Sequence, residues 1–344
     1  MIALPSRAPA EVPPVPSPAP TVCAVIPARD RWPELTRCLA SLGRLEVEVV
    51  VVDDASSDGT AAAVAARFPR VRVLRLERNV GAAQAKNLGA ATTGADLLWF
   101  LDSDTEIPTT FDLTKAVRLA TGEGRVGAVG GELHPLPDGV LEHRVKHLLP
   151  NFQTRTVSLP GSYGCVREVD YLPTCNLLIR RALFERVGGF DPVYFILSED
   201  VDLCLRIRGR GLRCVASDPT AVLHHISLRQ RPGDLALVHR NRVRLALLFG
   251  APWALLGLPL ADLALQAHPA LVRSVLRGEI SARKHLPEAL RERPTRRRDL
   301  PRMAAGALAV NARGLASAYA WNLRHLPETL HTRHARAATE RVSP

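Results

Sequence analysis

The sequence predicts an α/β domain, a mixed and mainly parallel sheet flanked by helices, followed by a helical C-terminal extension. Three observations carry this expectation. Short apolar runs rich in β-branched residues alternate with helix-like stretches from residue 22 to residue 104, joined by short connections. Two of those runs stop on aspartates, at Asp53-Asp54 and at Asp102. Beyond residue 235 the chain turns helical and basic.

The elements follow in order. Residues 5–20 carry seven prolines, lack apolar side chains in any period, and read as a disordered or polyproline-like tether. Val22-Cys23-Ala24-Val25-Ile26-Pro27 is a short apolar run halted by proline, as in a buried strand. Residues 32–42 have apolar positions at helical spacing. Residues 47–52 form a second strand, and an alanine-rich helix follows, with Ser57 or Thr60 as its cap. Residues 71–76 alternate as a third strand, 81–91 read as a helix, and 97–101 as a strand ending at Asp102. Later, 126–131 and 176–179 are strand candidates, 181–187 and 199–210 are helical, and 212–215 is extended. Residues 135–165, rich in Pro, Gly and His, read as a long loop or lid.

Composition narrows the function classes. The net charge is +11, with arginine dominant over lysine. No helix-turn-helix, zinc-finger or RNA-binding signature accompanies that charge, so a nucleic-acid partner is not expected. The six cysteines form no C-x-x-C pair and several lie in apolar runs, which fits reduced, buried thiols in a cytoplasmic protein better than a zinc site. Met1 precedes the proline-rich stretch instead of a basic segment and apolar core, so no secretory signal is expected.

Chemistry concentrates on carboxylates. In a sheet of this kind ligand groups gather beyond the carboxyl ends of the strands, where Asp54 and Asp102 both fall. Asp102-Ser103-Asp104 is an i, i+2 pair directly after an apolar strand. Hard cations such as Mg2+ or Mn2+ take oxygen ligands and keep positions open for substrate phosphates. Such a cation neutralises charge building on a phosphate leaving group. Alone, an Asp-x-Asp pair is a weak signal, because surface loops contain many.

Three ordered blocks make it specific. The first is Val50-Val51-Val52-Asp53-Asp54-Ala55-Ser56-Ser57-Asp58-Gly59-Thr60. Next come Asn79-Val80-Gly81 with Lys86-Asn87-Leu88-Gly89, and Phe100-Leu101-Asp102-Ser103-Asp104. The last comprises Gly188-Gly189-Phe190-Asp191, Ser198-Glu199-Asp200-Val201-Asp202-Leu203-Cys204-Leu205-Arg206 and His224-His225. In order and spacing they resemble the motifs of family 2 glycosyltransferases, over roughly residues 21–245.

The resemblance implies a GT-A fold and an inverting, metal-dependent transfer from a nucleotide-diphosphate sugar to a hydroxyl acceptor. It implies that Asp54 contacts the nucleobase, while Asp53 either joins it or closes the strand. Asp102 falls near the ribose, or serves a metal-bound water, and Asp104 is the principal ligand of Mg2+ or Mn2+. Asp200 is the general base, and Glu199 positions either that base or the acceptor. Pro27, Arg29 and Ser103 fall in the nucleotide-sugar pocket. Lys86 either reaches the diphosphate or is a solvated helix charge. One of His224 and His225 contacts the metal or diphosphate, or serves structurally. A hydroxyl is a poor nucleophile, so a carboxylate within hydrogen-bond reach suits the chemistry. Processive members carry a Q-x-x-R-W block; Leu228-Arg229-Gln230-Arg231-Pro232 stands nearby without one, so one sugar per event is expected.

The expected division is a tail over 1–20, a catalytic domain over 21–235 and a basic helical extension over 236–344. Within the domain, 21–107 is the nucleotide-binding half and 108–235 the acceptor-binding half. Leu245 to Ala261 is uncharged but shorter than the ~20 residues of a spanning helix, and prolines interrupt it. With the arginines around it, the extension fits interfacial helices on an anionic membrane, helices packed on the catalytic domain, or a homodimer contact. The acceptor is open: lipid-linked, cell-envelope glycan, protein or small molecule. The expected location is the cytoplasm, free or peripheral on the cytoplasmic face of the membrane.

Two other classes compete. A catalytically silent nucleotide-sugar or partner-binding module would not need Asp102, Asp104 and Asp200 together. A sugar nucleotidyltransferase would need a glycine-rich phosphate loop after the first strand, which Ile26-Pro27-Ala28-Arg29-Asp30 does not supply. Nor does a G-x-G-x-x-G dinucleotide signature follow that strand.

Overall fold

The structure is a computed structural model that describes residues 19–122, 125–135, 141–149, 151–159, 166–225, 234–250 and 300–342. The proline-rich segment to residue 18, Cys165, residues 226–233 and the stretch 251–299 lie outside the described residues.

The alternating pattern folds as expected. Strand β1 (Val22–Ala28) leads into helix α1 (Trp32–Leu42), β2 (Glu48–Asp53), α2 (Thr60–Arg67), β3 (Arg72–Arg75), α3 (Ala82–Ala91) and β4 (Leu97–Phe100). β1 pairs in parallel with β2 on one side and β4 on the other, and β3 extends the sheet beyond β2. Strands covered on both faces need apolar residues at every position, because successive side chains point to opposite faces. So Cys23 and Val25 pack with Val50, Val52, Leu98 and Phe100 on one face. Ala24 and Ile26 pack with Val51, Leu97, Trp99 and Leu101 on the other.

The sheet continues past β4 with a change of direction. β11 (Leu177–Arg180) pairs antiparallel with β4 and with β6 (Val126–Gly130), and β12 (Arg213–Ala216) and β10 (Arg167–Val169) complete the edge. The eight strands run β10-β12-β6-β11-β4-β1-β2-β3. Asn176, just before β11, is 2 % exposed and joins the layers. Its side chain accepts from Trp99 Nε1 and donates to the carbonyls of Gly131 and Thr220.

A second sheet, β5-β13-β7-β8-β9, corrects the long loop expected over 135–165. It comprises β5 (Thr105–Glu106), β7 (Glu132–Pro135), β8 (Leu141–Leu148), β9 (Thr154–Leu159) and β13 (Val222–His224). β8 and β9 form an antiparallel pair with Val145 opposite Val157. The strand was obscured because its polar residues are mostly half-buried and only Val145 is fully covered, which dilutes the two-residue period. The helix cap also differs. Gly59 is the N-cap of α2, with φ 80° and no side-chain cap bond. Asp58 instead accepts from the Thr60 amide at 3.0 Å.

Helices α4 (Leu113–Thr121), α5 (Arg181–Arg186) and α6 (Glu199–Gly209) flank the main sheet. The C-terminal helices α7 (Asp234–Phe249), α8 (Leu300–Arg324) and α9 (Leu326–Val342) pack together. α7 and α9 are bound to the core by buried charges. Arg336 donates to Asp202 (2.8 Å) and Asp191 (3.1 Å), and Arg244 to Asp191 (2.9 Å) and Thr329 (2.8 Å). The described cysteines, 23, 38, 175, 204 and 214, are buried and unpaired. No described helix is long and apolar enough to cross a membrane.

Close approach of α3 to the sheet depends on Gly89, where a Cβ would stand 2.6 Å from Val25 Cγ1 and 2.7 Å from Val52 Cγ2. Both neighbours are branched core side chains with no room to retreat. Gly89→Val is therefore expected to cost about 1–3 kcal/mol by overpacking, read as a lower urea midpoint with an unchanged slope.

Candidate active site

A crevice of about 430 Å3 opens at the carboxyl edge of β1, β2 and β4. Its position follows from topology: β4 and β2 flank β1, so the residues after each strand face a common space. Pro27 and Arg29 line it from β1, Asp54 from β2, and Asp102, Ser103 and Asp104 from the turn after β4. Lys86 enters from α3, Glu199 and Asp200 from the start of α6, and His224 from β13. Asp53 and His225 do not line it.

The two leading aspartates divide their tasks. Asp53 is 1 % exposed and its Oδ1 accepts from the Ser56 amide at 3.1 Å, closing the turn after β2. Asp54 accepts from the amides of Val80 (2.7 Å) and Gly81 (3.1 Å), fastening the start of α3 to the crevice wall.

The histidines separate as well. His224 Nε2 lies 3.4 Å from Asp104 Oδ1, and its Nδ1 lies 2.7 Å from Glu132 Oε1. The His225 ring is turned to Glu106 at 2.8 Å, while its backbone amide donates to the Asp104 carbonyl at 3.0 Å. A carboxylate behind one ring nitrogen holds the ring in the tautomer whose other nitrogen can ligate. Glu132 was missed in the sequence, since it sits on the unrecognised β7; only its place after Gly130-Gly131 offered a signal. Ligand atoms of Asp102, Asp104 and His224 lie within 4.8 Å of one another. Two carboxylates and an imidazole make a donor set that fits a divalent cation. Burial raises the Asp104 carboxyl, but the hydrogen bond and charge of His224, together with Arg31, bring it below its ordinary value. Glu132 is likewise opposed by burial and held well below its ordinary value by His134, His224 and Lys146.

Lys86 is not a solvated helix charge. It is 1 % exposed, and Nζ lies 3.4 Å from Asp102 Oδ1 and 3.1 Å from Glu199 Oε1, with a further hydrogen bond to Thr174 Oγ1. Burial alone would lower its pKa; the charges of Asp102 and Glu199 outweigh that and hold the ammonium above its ordinary value. Glu199 keeps its other oxygen, Oε2, free of any hydrogen bond although buried.

Asp200 is half-buried, and its Oδ1 accepts from the Val201 amide at 2.8 Å. Burial raises its carboxyl, the Glu199 charge raises it further, and the net value is about 7. A carboxylate of that basicity at the mouth of a crevice can accept a proton near neutral pH. Other lining residues carried no readable motif, among them Arg31, Thr154, Tyr171 and residues 195–197.

The fold is of the GT-A architecture. A structure of GalNAc-T7 with UDP, GalNAc and Mn2+ has a TM-score of 0.57 at 18% identity, covering 80% of this chain and 54% of that one. The mannosyltransferase PcManGT from Pyrobaculum calidifontis, in complex with GDP-Man and Mn2+, has a TM-score of 0.51 at 20% identity, covering 98% and 90%. Residues 23–188 match the family model described as Glycosyl transferase family 2. The chain is 29% identical over 313 residues to the N-acetylglucosaminyl-diphospho-decaprenol L-rhamnosyltransferase of Mycobacterium tuberculosis, covering 78% of this chain and 93% of that one. It is 30% identical over 213 residues to the pre-mycofactocin glycosyltransferase of the same organism, covering 59% and 42%. Residues 23–188 are thus those of a glycosyltransferase family 2 segment, and the chain is an enzyme of glycosyltransferase type.

The ion pairs of Lys86 give a stability prediction. Lys86→Met leaves Asp102 and Glu199 without their counter-charge, and breaking a buried pair costs about 3–5 kcal/mol. Denaturant titration at neutral pH should show that loss, whereas Arg75→Met, at an exposed side chain beside Asp53, should change stability by less than about 1 kcal/mol.

Proposed function

We propose that the chain transfers one sugar from a nucleotide-diphosphate donor to an acceptor hydroxyl, with inversion at the anomeric carbon. The observation that carries this reading is Asp200, a carboxylate raised to about 7 in the same crevice as Asp102, Asp104 and His224. Asp200 takes the proton of the acceptor hydroxyl as that oxygen bonds to the anomeric carbon. The bond from that carbon to the donor's diphosphate oxygen breaks on the opposite face, so a single displacement inverts the centre. Lys86, between Asp102 and Glu199, lowers the carboxyl of Asp200 and favours its proton-accepting form. Asp104 and His224, with Asp102, would hold Mg2+ or Mn2+, which supplies charge neutralisation to the departing nucleoside diphosphate. Pro27, Arg29, Asp54 and Ser103 form the wall for nucleoside and ribose.

For the acceptor, we infer a lipid-linked saccharide. The Mycobacterium tuberculosis relative is named for a diphospho-decaprenol acceptor. The crevice here carries exposed Leu197 (38 %) and Val238 (40 %) on the side of Asp200, where an apolar portion of the acceptor can rest. Such an acceptor would bring the chain to the cytoplasmic face of a membrane.

The decisive measurement is turnover with a panel of nucleotide-diphosphate sugars, read beside donor binding by calorimetry. Asp200→Asn should bind donor as the wild type does and lose about 10²–10⁴-fold in transfer. Retained transfer would reject Asp200 as the base. Because the base must be ionised, kcat/KM should fall about tenfold per pH unit below pH 7, and that acidic limb should be absent from donor binding. Asp104→Ala should abolish the metal dependence of donor binding in the same calorimeter; a silent binding module would show binding without turnover in every variant.

A further inference from the structure

The segment that delivers Asp200 to the crevice is held in a conformation its own residues disfavour. Phe195, Leu197 and Ser198 have φ of 64°, 69° and 71°, in the left-handed region where bulky side chains are rarely found. Such a conformation persists only where surrounding structure over-determines it. Ser198 is the N-cap of α6 and its carbonyl accepts from the Asp202 amide at 3.0 Å, so the strained stretch sets where α6 begins and where Asp200 points. On the donor side, Phe195 packs against Gly81, and its carbonyl accepts from the Ala83 amide at 3.1 Å in the first turn of α3.

Constraint from the other side comes from α7. Asn241 is fully buried, and its Nδ2 donates to the carbonyls of Tyr194 (3.1 Å), Ile196 (2.9 Å) and Leu197 (2.6 Å). Two hydrogens are thus shared among three carbonyls of the same bend. Its Oδ1 accepts from Arg240 Nε at 2.9 Å, which fixes the orientation of the carboxamide. Arg240 adds bonds to the carbonyls of Val193 (3.0 Å) and Tyr194 (2.9 Å). The guanidinium lies 4.7 Å from the centre of the Trp321 ring on α8, and Asn322 donates to the Arg240 carbonyl at 2.9 Å. Neither Asn241 nor Arg240 lies in the segment that matches the family model, which ends at residue 188.

We propose that Asn241 is a positioning residue for the reaction: its carboxamide clamps the 194–197 carbonyls and so holds Asp200 at the acceptor hydroxyl, making the C-terminal helices a working part of the active site. The inference rests on the reading of Asp200 as the base. Asn241 does not itself line the crevice; it reaches the lining through the carbonyls of Ile196 and Leu197, so its effect passes through the backbone of the bend. Loss of the clamp lets residues 195–198 relax toward ordinary φ values, and a displacement of about 1 Å in a reacting group is enough for a loss near 100-fold.

The test uses the full chain with Asn241→Asp, which preserves size and removes both donated hydrogens. Amide deuterium uptake in residues 193–199 should rise above wild type, and kcat should fall about 100-fold. The acceptor KM and the dissociation constant for nucleotide diphosphate should each stay within about threefold of wild type. Unchanged uptake, or raised uptake with kcat within about twofold of wild type, overturns the proposal. So does loss of nucleotide binding in parallel with kcat, which marks a structural role. If Asn241→Asp does not unfold cooperatively, Arg240→Gln is measured instead with the same readouts, since it removes the outer carbonyl bonds. A wild-type protein that transfers no sugar defeats the functional reading, whereas deuterium uptake still decides whether the clamp exists.

Discussion

The buried ammonium of Lys86 connects the parts of the active site that come from distant segments. It stands between Asp102, at the end of β4, and Glu199, at the start of α6, and hydrogen-bonds Thr174 beside β11. Four carboxylates in one crevice, Asp102, Asp104, Glu199 and Asp200, repel one another, and burial strengthens that repulsion by lowering the local dielectric. A fixed cation among them lets the crevice form before any ligand arrives. The position also requires α3 to lie close to the sheet, which Gly89 permits through its contact with Val25 and Val52. A packing detail and an electrostatic one are thus the same constraint.

The second sheet has a comparable role on the side of Asp104. β13 carries His224 and pairs with β7, which carries Glu132, so backbone pairing between Val222 and Glu132 brings the carboxylate behind the imidazole. β5 pairs with β13 on its other side, and His225, facing away, takes Glu106 as partner. His224, the last residue of β13, and His225, just beyond it, thus take different carboxylate partners although they are neighbours in the chain. The crevice therefore receives one imidazole in a defined orientation.

The C-terminal helices join the catalytic core through charge as well as through apolar contact, with Leu245 in the main core cluster and Phe249 packed against it. Arg336 and Arg244 supply counter-charges to Asp191, and Arg336 joins Arg206 on Asp202, near the bend that precedes Asp200. Tyr194 adds its hydroxyl to Asp202 at 3.2 Å. Part of the strong positive charge of the C-terminal region is consumed in this docking, and so is not free for a membrane or other anionic partner.

Much of this was legible in the residues themselves. The apolar runs at 22–27, 49–52 and 97–101 fit strands covered on both faces, and the aspartates after the second and third fit the sheet's carboxyl edge. That local logic defined β1 to β4, the helices between them, and the three motif blocks. The second sheet escaped it, because β8 is charged and half-buried and owes its strand conformation to β7 and β9 on either side. The choices between alternatives also lay beyond the sequence. Asp53 closes a turn while Asp54 faces the crevice; the ring of His224 and not that of His225 approaches the Asp104 carboxylate; Lys86 is an internal counter-ion and not a surface charge. Each depends on which groups converge from residues tens of positions apart, and only the folded chain brings Lys86 to Glu199, Glu132 to His224, and Asn241 to the bend before Asp200. The sequence by itself determined the chemical inventory and the edge of the sheet where it gathers. Tertiary packing decided the partner of each charge, because burial and long-range proximity set those partnerships and neither is written in local order.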